Sequence, residues 1–175
     1  IPRLLKTFKT PAIHHSVIRT VGIGESFLAE KISSWERSLP GHIRLAYLPG
    51  YGEVKLRLTG IGTDQALPKT DMEMLIEKLR PLAGEYIYGT GNDTLEMIVG
   101  KNLREQKRTI AIAESCTGGY LSHLITSIPG SSDYFKGSMV VYSNEIKIKD
   151  LGVKSQTLDD HGAVSEATIC EMASL

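Results

Sequence analysis

Apolar positions along the chain recur at two different periods, and the switches between them lay out the elements. His15 to Val21 is rich in β-branched residues and predicts a strand. Gly22-Ile23-Gly24 interrupts it. Glu25 to Trp35 then places Phe27, Leu28 and Ile32 at the spacing of one helix face. After the Pro40-Gly41 turn, Ile43 to Leu48 and Val54 to Leu58 predict two strands, joined in a hairpin pattern by Pro49-Gly50-Tyr51-Gly52. In the second of these, Val54, Leu56 and Leu58 alternate with Lys55 and Arg57, so one face of that sheet meets water. Residues 60–70 are rich in turn formers. Met72 to Leu82 carries Met72, Leu75, Ile76 and Leu79 at helical spacing, and Glu85 to Tyr88 supplies a closing strand. The expectation is a compact β-α-β-β-α-β module over about residues 14–88.

The second part alternates helix and strand. Asn92-Asp93-Thr94 offers capping side chains for a helix to about Lys107, carrying Leu95, Ile98, Val99 and Leu103. Thr109 to Ala113 is a short uninterrupted apolar strand, of the kind buried between helix layers. A helix over Thr117 to Ile128, a Pro129-Gly130 break, a strand over Ser138 to Tyr142, a helix over Asn144 to Leu151 and the start of another at Ser165 follow. The pattern predicts an α/β protein: an entry linker (1–13), a small α/β module (14–90) and the first half of a layered α/β/α domain (91–175).

Composition narrows the classes. Hydrophobic residues make up 41% and charged residues 23% of the 175 positions, as in ordinary globular proteins. Twenty basic residues balance twenty acidic ones, so no global field favours nucleic acid or an anionic membrane. No apolar run is long enough to span a bilayer, and no signal peptide opens the chain. Two cysteines, Cys116 and Cys170, are too few for a disulfide framework, and a reducing cytoplasmic location is expected. The chain opens at Ile1 and stops at Leu175 inside a predicted helix, so both ends read as cuts.

Chemistry concentrates in Ala113-Glu114-Ser115-Cys116-Thr117-Gly118-Gly119, where a predicted strand hands over to a helix. Ligands in open α/β sheets gather at the carboxyl ends of strands. A helix start offers free N–H groups, and glycines admit a ligand close to the backbone. A serine or cysteine placed there can act as a nucleophile, with neighbouring amides holding an oxyanion. Local spacing alone favours a plainer account, a capped helix start with glycines for packing.

Resemblance shifts that balance. The 113–119 motif, then Ile128-Pro-Gly-Ser-Ser132, Tyr142-Ser-Asn-Glu-Ile-Lys147, Leu151-Gly-Val153 and His161-Gly-Ala-Val-Ser165, resemble in order and spacing the motifs of the CinA carboxyl-terminal domain. Thr20-Val-Gly-Ile-Gly-Glu-Ser26 and the Leu48-Pro-Gly50 hairpin are similar to the KH-like middle domain of the same family. The resemblance implies hydrolysis of the amide of nicotinamide mononucleotide by a Ser/Lys dyad. Ser115 is then the nucleophile and Lys147 the general base, with no metal and no cofactor. A lysine serves as base only in its neutral form, so burial or a neighbouring cation is required, and Lys149 and Lys154 are the nearest candidates in sequence. Tyr142 orients the lysine or meets the substrate, or is a half-buried strand tyrosine. Amides around Cys116 to Gly118 are the oxyanion donors. Glu114, Cys116, Thr117, Gly118, Gly119 and Asn144 are the substrate-binding set. Glu114 and Thr117 have helix capping as the alternative, as do Asn144 and Glu145. A thiol at a helix start can be reactive, but the resemblance favours Ser115, and Cys116 is read as a small packed residue.

Other signals carry less. His14-His15 lacks metal-ligand spacing and a third ligand, Asp159-Asp160-His161 reads as a loop before a glycine turn, and the basic Arg104 to Arg108 fits a helix end. Gly22-Ile-Gly24 is too short for a dinucleotide fingerprint. A KH module suggests RNA, yet none of the seventeen glycines forms the Gly-x-x-Gly pair that clamps a backbone. A non-catalytic oligomerisation or nucleic-acid-binding module is the alternative function, with a spacer or oligomerisation role preferred to RNA. The family's domain continues beyond the equivalent of Leu175 into a glycine-rich nucleotide-pocket segment. A sheet lacking its last half exposes an edge, so a homo-oligomer is expected and activity of this chain is an open point.

Overall fold

The computed structural model describes residues 11–62 and 67–174, which divide into two compact units, Ile1–Leu95 and Glu96–Leu175. In the first unit, strand β1 (Ala12–Val21) leads to helix α1 (Glu25–Arg37), strands β2 (Ile43–Pro49) and β3 (Glu53–Gly62), helix α2 (Leu67–Ala83) and strand β4 (Ile87–Thr90). The sheet is antiparallel throughout in the order β2-β3-β1-β4. The predicted element order holds, with shifts at the ends. Ala12 and Ile13, read as linker, pair with Gly62 and Ile61 and lengthen both strands. Of the turn-rich stretch 60–70, Gly60–Gly62 lie in β3, 67–70 lie in α2, and 63–66 lie outside the described residues, as do 1–10 of the linker.

The alternation in β3 does what the sequence implies. Val54, Leu56 and Leu58 are buried against Leu28, Ile32 and Trp35 of α1 and Met72, Leu75 and Leu79 of α2. Each such side chain contributes about 1.5–3 kcal/mol by leaving water. Trp35 Nε1 donates to the Leu75 carbonyl at 3.0 Å, which satisfies the one polar atom of that ring and ties the two helices together. Phe27, expected on the same face, is 70% exposed, because Leu28 and Ile32 already define the buried stripe.

The second unit runs α3 (Leu95–Glu105), β5 (Ile110–Glu114), α4 (Tyr120–Thr126), a 3₁₀ turn (Ser131–Asp133), β6 (Phe135–Val140), α5 (Asn144–Leu151), α6 (Ser155–His161) and α7 (Glu166–Met172). Strands β5 and β6 pair in parallel, with Glu114 opposite Val140 at their carboxyl ends. Three expectations are corrected. Asp159-Asp160-His161 is the end of a helix rather than a loop. Helix α4 begins at Tyr120 because positive φ at Gly118 (59°) and Gly119 (98°) holds 116–119 in turns. Strand β5 is not sealed between layers, since Ala111 is exposed and a cavity of about 670 Å³ opens beside Ala111, Ala113, Gly137 and Met139.

Candidate active site

The site grows from the ends of β5 and β6. The Val141 amide donates to the Glu114 carbonyl at 2.8 Å, continuing the ladder one step past the strand ends. Ser115 leaves β5 there, half-buried, and Val141-Tyr142 leaves β6 beside it.

Glu114 is the last residue of β5 and only 2% exposed. Its carboxylate accepts from the amides of Gly119 (3.1 Å), Leu121 (3.0 Å) and Ser122 (2.9 Å), and the Ser122 hydroxyl donates to it as well. Helix α4 opens on a glycine with no capping side chain of its own, so Glu114 supplies from the preceding strand what the helix start lacks. Burial works to raise the carboxyl's pKa. The hydroxyls of Ser122 and Thr117 and the amides of Ser122 and Leu121 outweigh it and bring it down to about 2. A carboxylate has roughly four acceptor positions, and these donors use them. Of its two expected roles, capping is the one this geometry displays.

The same bonds sort the oxyanion donors. The Gly118 amide turns back to the Ser115 carbonyl at 3.0 Å and the Gly119 amide is held by Glu114. Among the described residues the amides of Cys116 and Thr117 have no such partner, and both residues are exposed. The Cys116 thiol is free and exposed rather than packed. Thr117 lends its hydroxyl to Glu114.

Lys147 lies in α5 and is 1% exposed. Its Nζ donates to the carbonyls of Val141 and Tyr142, each at 2.9 Å, which fixes the amine at the carboxyl end of β6. Of the neighbouring lysines, Lys149 is exposed and Lys154 pairs with Glu171 at 3.8 Å. Tyr142 is not a half-buried strand tyrosine. It follows β6, is 73% exposed, and holds Lys147 through its main-chain oxygen. Asn144 opens α5 exposed. The cap is the neighbouring Ser143, whose hydroxyl accepts from the Ile146 amide at 3.2 Å. Sequence reasoning missed Ser143 and Ser122. The first had a signal, since serine is as good an N-cap as asparagine.

Among the described residues no group of His, Cys, Asp and Glu is arranged to hold a metal ion. The 670 Å³ cavity is lined by neither Ser115 nor Lys147 and lies on the sheet face, away from this chemistry.

A small antiparallel α/β unit followed by a parallel strand pair, with a serine and a buried lysine at neighbouring strand ends, defines a two-unit α/β protein. Comparison supplies the family. Residues 15–89 match the damage-inducible protein CinA KH domain, and residues 92–175 match the CinA C-terminal domain. The chain is 49% identical over 171 residues to a CinA-like protein of Cytophaga hutchinsonii and 45% identical over 174 residues to one of Flavobacterium psychrophilum, covering 98% and 99% of this chain. It belongs to the CinA family. The chain spans 41% and 42% of the length of these two relatives. A crystal structure of a competence/damage inducible protein from Agrobacterium tumefaciens aligns with a TM-score of 0.45 at 36% identity, covering 46% of this chain and 48% of that one. Among the described residues no helix is long and apolar enough to cross a membrane.

Proposed function

We propose that the second unit carries the dyad of an amidohydrolase that converts nicotinamide mononucleotide to nicotinate mononucleotide and ammonia. The observation that carries this reading is the setting of Lys147. An amine nitrogen on a carbon chain has three remaining directions, and the carbonyls of Val141 and Tyr142 occupy two. When neutral, the amine gives both hydrogens to these oxygens and keeps its lone pair for a proton from Ser115, on the adjoining strand end. Ser115 Oγ attacks the carboxamide carbon as Lys147 takes the hydroxyl proton. The amides of Cys116 and Thr117 hold the oxyanion. Lys147 then returns the proton to the departing nitrogen, ammonia leaves, and water attacks the acyl-serine to regenerate the hydroxyl. The resemblance of the 113–119, 142–147 and 161–165 motifs supports the choice of substrate.

The test is ammonia release from nicotinamide mononucleotide by this chain, with Ser115→Ala and Cys116→Ala in parallel. Turnover abolished by the first substitution and kept by the second is the expected result. Survival of turnover in Ser115→Ala overturns the assignment of the nucleophile. Absence of turnover in the unaltered chain overturns the claim that these residues suffice.

A further inference from the structure

Helices α1 and α2 cover one face of the first unit's sheet, and the other face carries the outward residues of β1, β2 and β3. Register sets these in rows. Ile61 stands opposite Ile13. Thr59 stands between Arg44 and His15, Arg57 between Ala46 and Val17, and Lys55 between Leu48 and Arg19. Ile13, Ile61 and Leu48 are 56%, 42% and 36% exposed, and His15, Arg44 and Arg57 are exposed beside them. The chain as a whole is neutral, yet Arg19, Arg44, Lys55 and Arg57 share these strand positions with one carboxylate, Glu53.

That carboxylate is already engaged. Lys55 lies 2.7 Å and Arg19 3.5 Å from it, and the Tyr88 hydroxyl donates to it at 2.7 Å. Arg44 and Arg57 have no ion-pair partner among the described residues. They occupy diagonal positions on neighbouring strands, within about 8 Å, where like charges repel and an incoming anion would be favoured. The face therefore combines aliphatic rows with uncompensated cations.

We propose that this open sheet face is the docking site for an acidic amphipathic helix of a protein partner. Bare sheet faces are covered by helices in layered architectures. An apolar stripe flanked by carboxylates complements aliphatic rows flanked by Arg44 and Arg57. Three row steps of about 6.8 Å span about 20 Å, the length of roughly 14 residues of helix. A single strand of nucleic acid fits less well. It needs rings with open faces to stack on, and Tyr88, the ring tied to this face, is only partly exposed.

The experiment uses this chain and two synthetic helical peptides of about 14 residues. Both carry leucines at i, i+3, i+4 and i+7, and they differ only in glutamate or lysine flanks. Fluorescence anisotropy is read at low and physiological salt. The glutamate peptide binds at least tenfold tighter than the lysine peptide, and Arg44→Glu/Arg57→Glu inverts that preference. The inversion itself shows that the variant is folded. Equal binding of the two peptides, or undiminished binding of the glutamate peptide by the variant, overturns the proposal. So does preferential binding of single-stranded DNA or of phosphatidylserine vesicles, which would assign the face to nucleic acid or membrane.

Discussion

Replacing Glu114 by glutamine removes a charge and one acceptor while keeping the shape, at a position where three amides and the hydroxyls of Ser122 and Thr117 converge. The glutamine oxygen can still accept, but its NH₂ must face donors, which leaves at least one buried amide unpaired at about 1–3 kcal/mol. Linkage gives an independent magnitude. The carboxyl falls from an ordinary 4.5 to about 2, and at about 1.36 kcal/mol per unit this is at most roughly 3 kcal/mol. Exposed Cys116, Thr117 and Gly118 bring water close, so screening reduces it to about 2 kcal/mol. The sign follows from the depressed pKa: the stabilisation is complete above pH 4.5 and is lost as pH falls from there toward about 2. Glu114→Gln should therefore unfold about 2 kcal/mol more easily at pH 7, with the difference shrinking below pH 4.5. Trp35, the chain's one tryptophan, sits in the first unit, so its fluorescence does not report this site directly. Urea unfolding followed by far-UV circular dichroism at pH 7, 4 and 3 is the assay. Hydrogen exchange at the amides of Gly119, Leu121 and Ser122 localises the effect. Equal stability at pH 7, or a constant difference down to pH 3, refutes the reasoning.

Four further outcomes are expected. Tyr134 is 0% exposed and its hydroxyl has no partner among the described residues, so Tyr134→Phe should stabilise the second unit by about 1 kcal/mol in urea unfolding. Gly100→Ala should destabilise by about 1–3 kcal/mol in the same measurement, because a Cβ there collides with the Tyr134 hydroxyl and with Cζ at 2.8 Å. Lys147→Met keeps the volume but ends the contacts to Val141 and Tyr142. Ammonia release should vanish while circular dichroism stays native, and Tyr142→Phe, which retains the main-chain oxygen, should leave stability within about 0.5 kcal/mol.

What the chain spells out and what it conceals divide along a physical line. Signals carried by side-chain periodicity were legible. Val54, Leu56 and Leu58 declare a half-buried strand, and Leu28 and Ile32 declare the inner face of α1. Helix α6 escaped because Ser155–His161 holds one apolar anchor, Leu158, and a single anchor has no period. The motif at 113–119 located the strand-to-helix junction, but not the direction in which its residues turn. Glu114 looked available to a ligand because nothing in its neighbours tells that helix α4 lacks a capping side chain. Lys147 could be named but not understood, since its partners are carbonyls, and every residue carries one. The sheet face of the first unit lies between these cases. Arg44 and Arg57 are thirteen positions apart and unrelated in sequence, and the register of β2 on β3 brings them together with no counter-charge among the described residues. Local pattern fixes which residues face inward, whereas strand register and main-chain acceptors decide which of the remainder meet. The candidate chemistry at Lys147 and the cationic face around Arg57 both depend on that second kind of information.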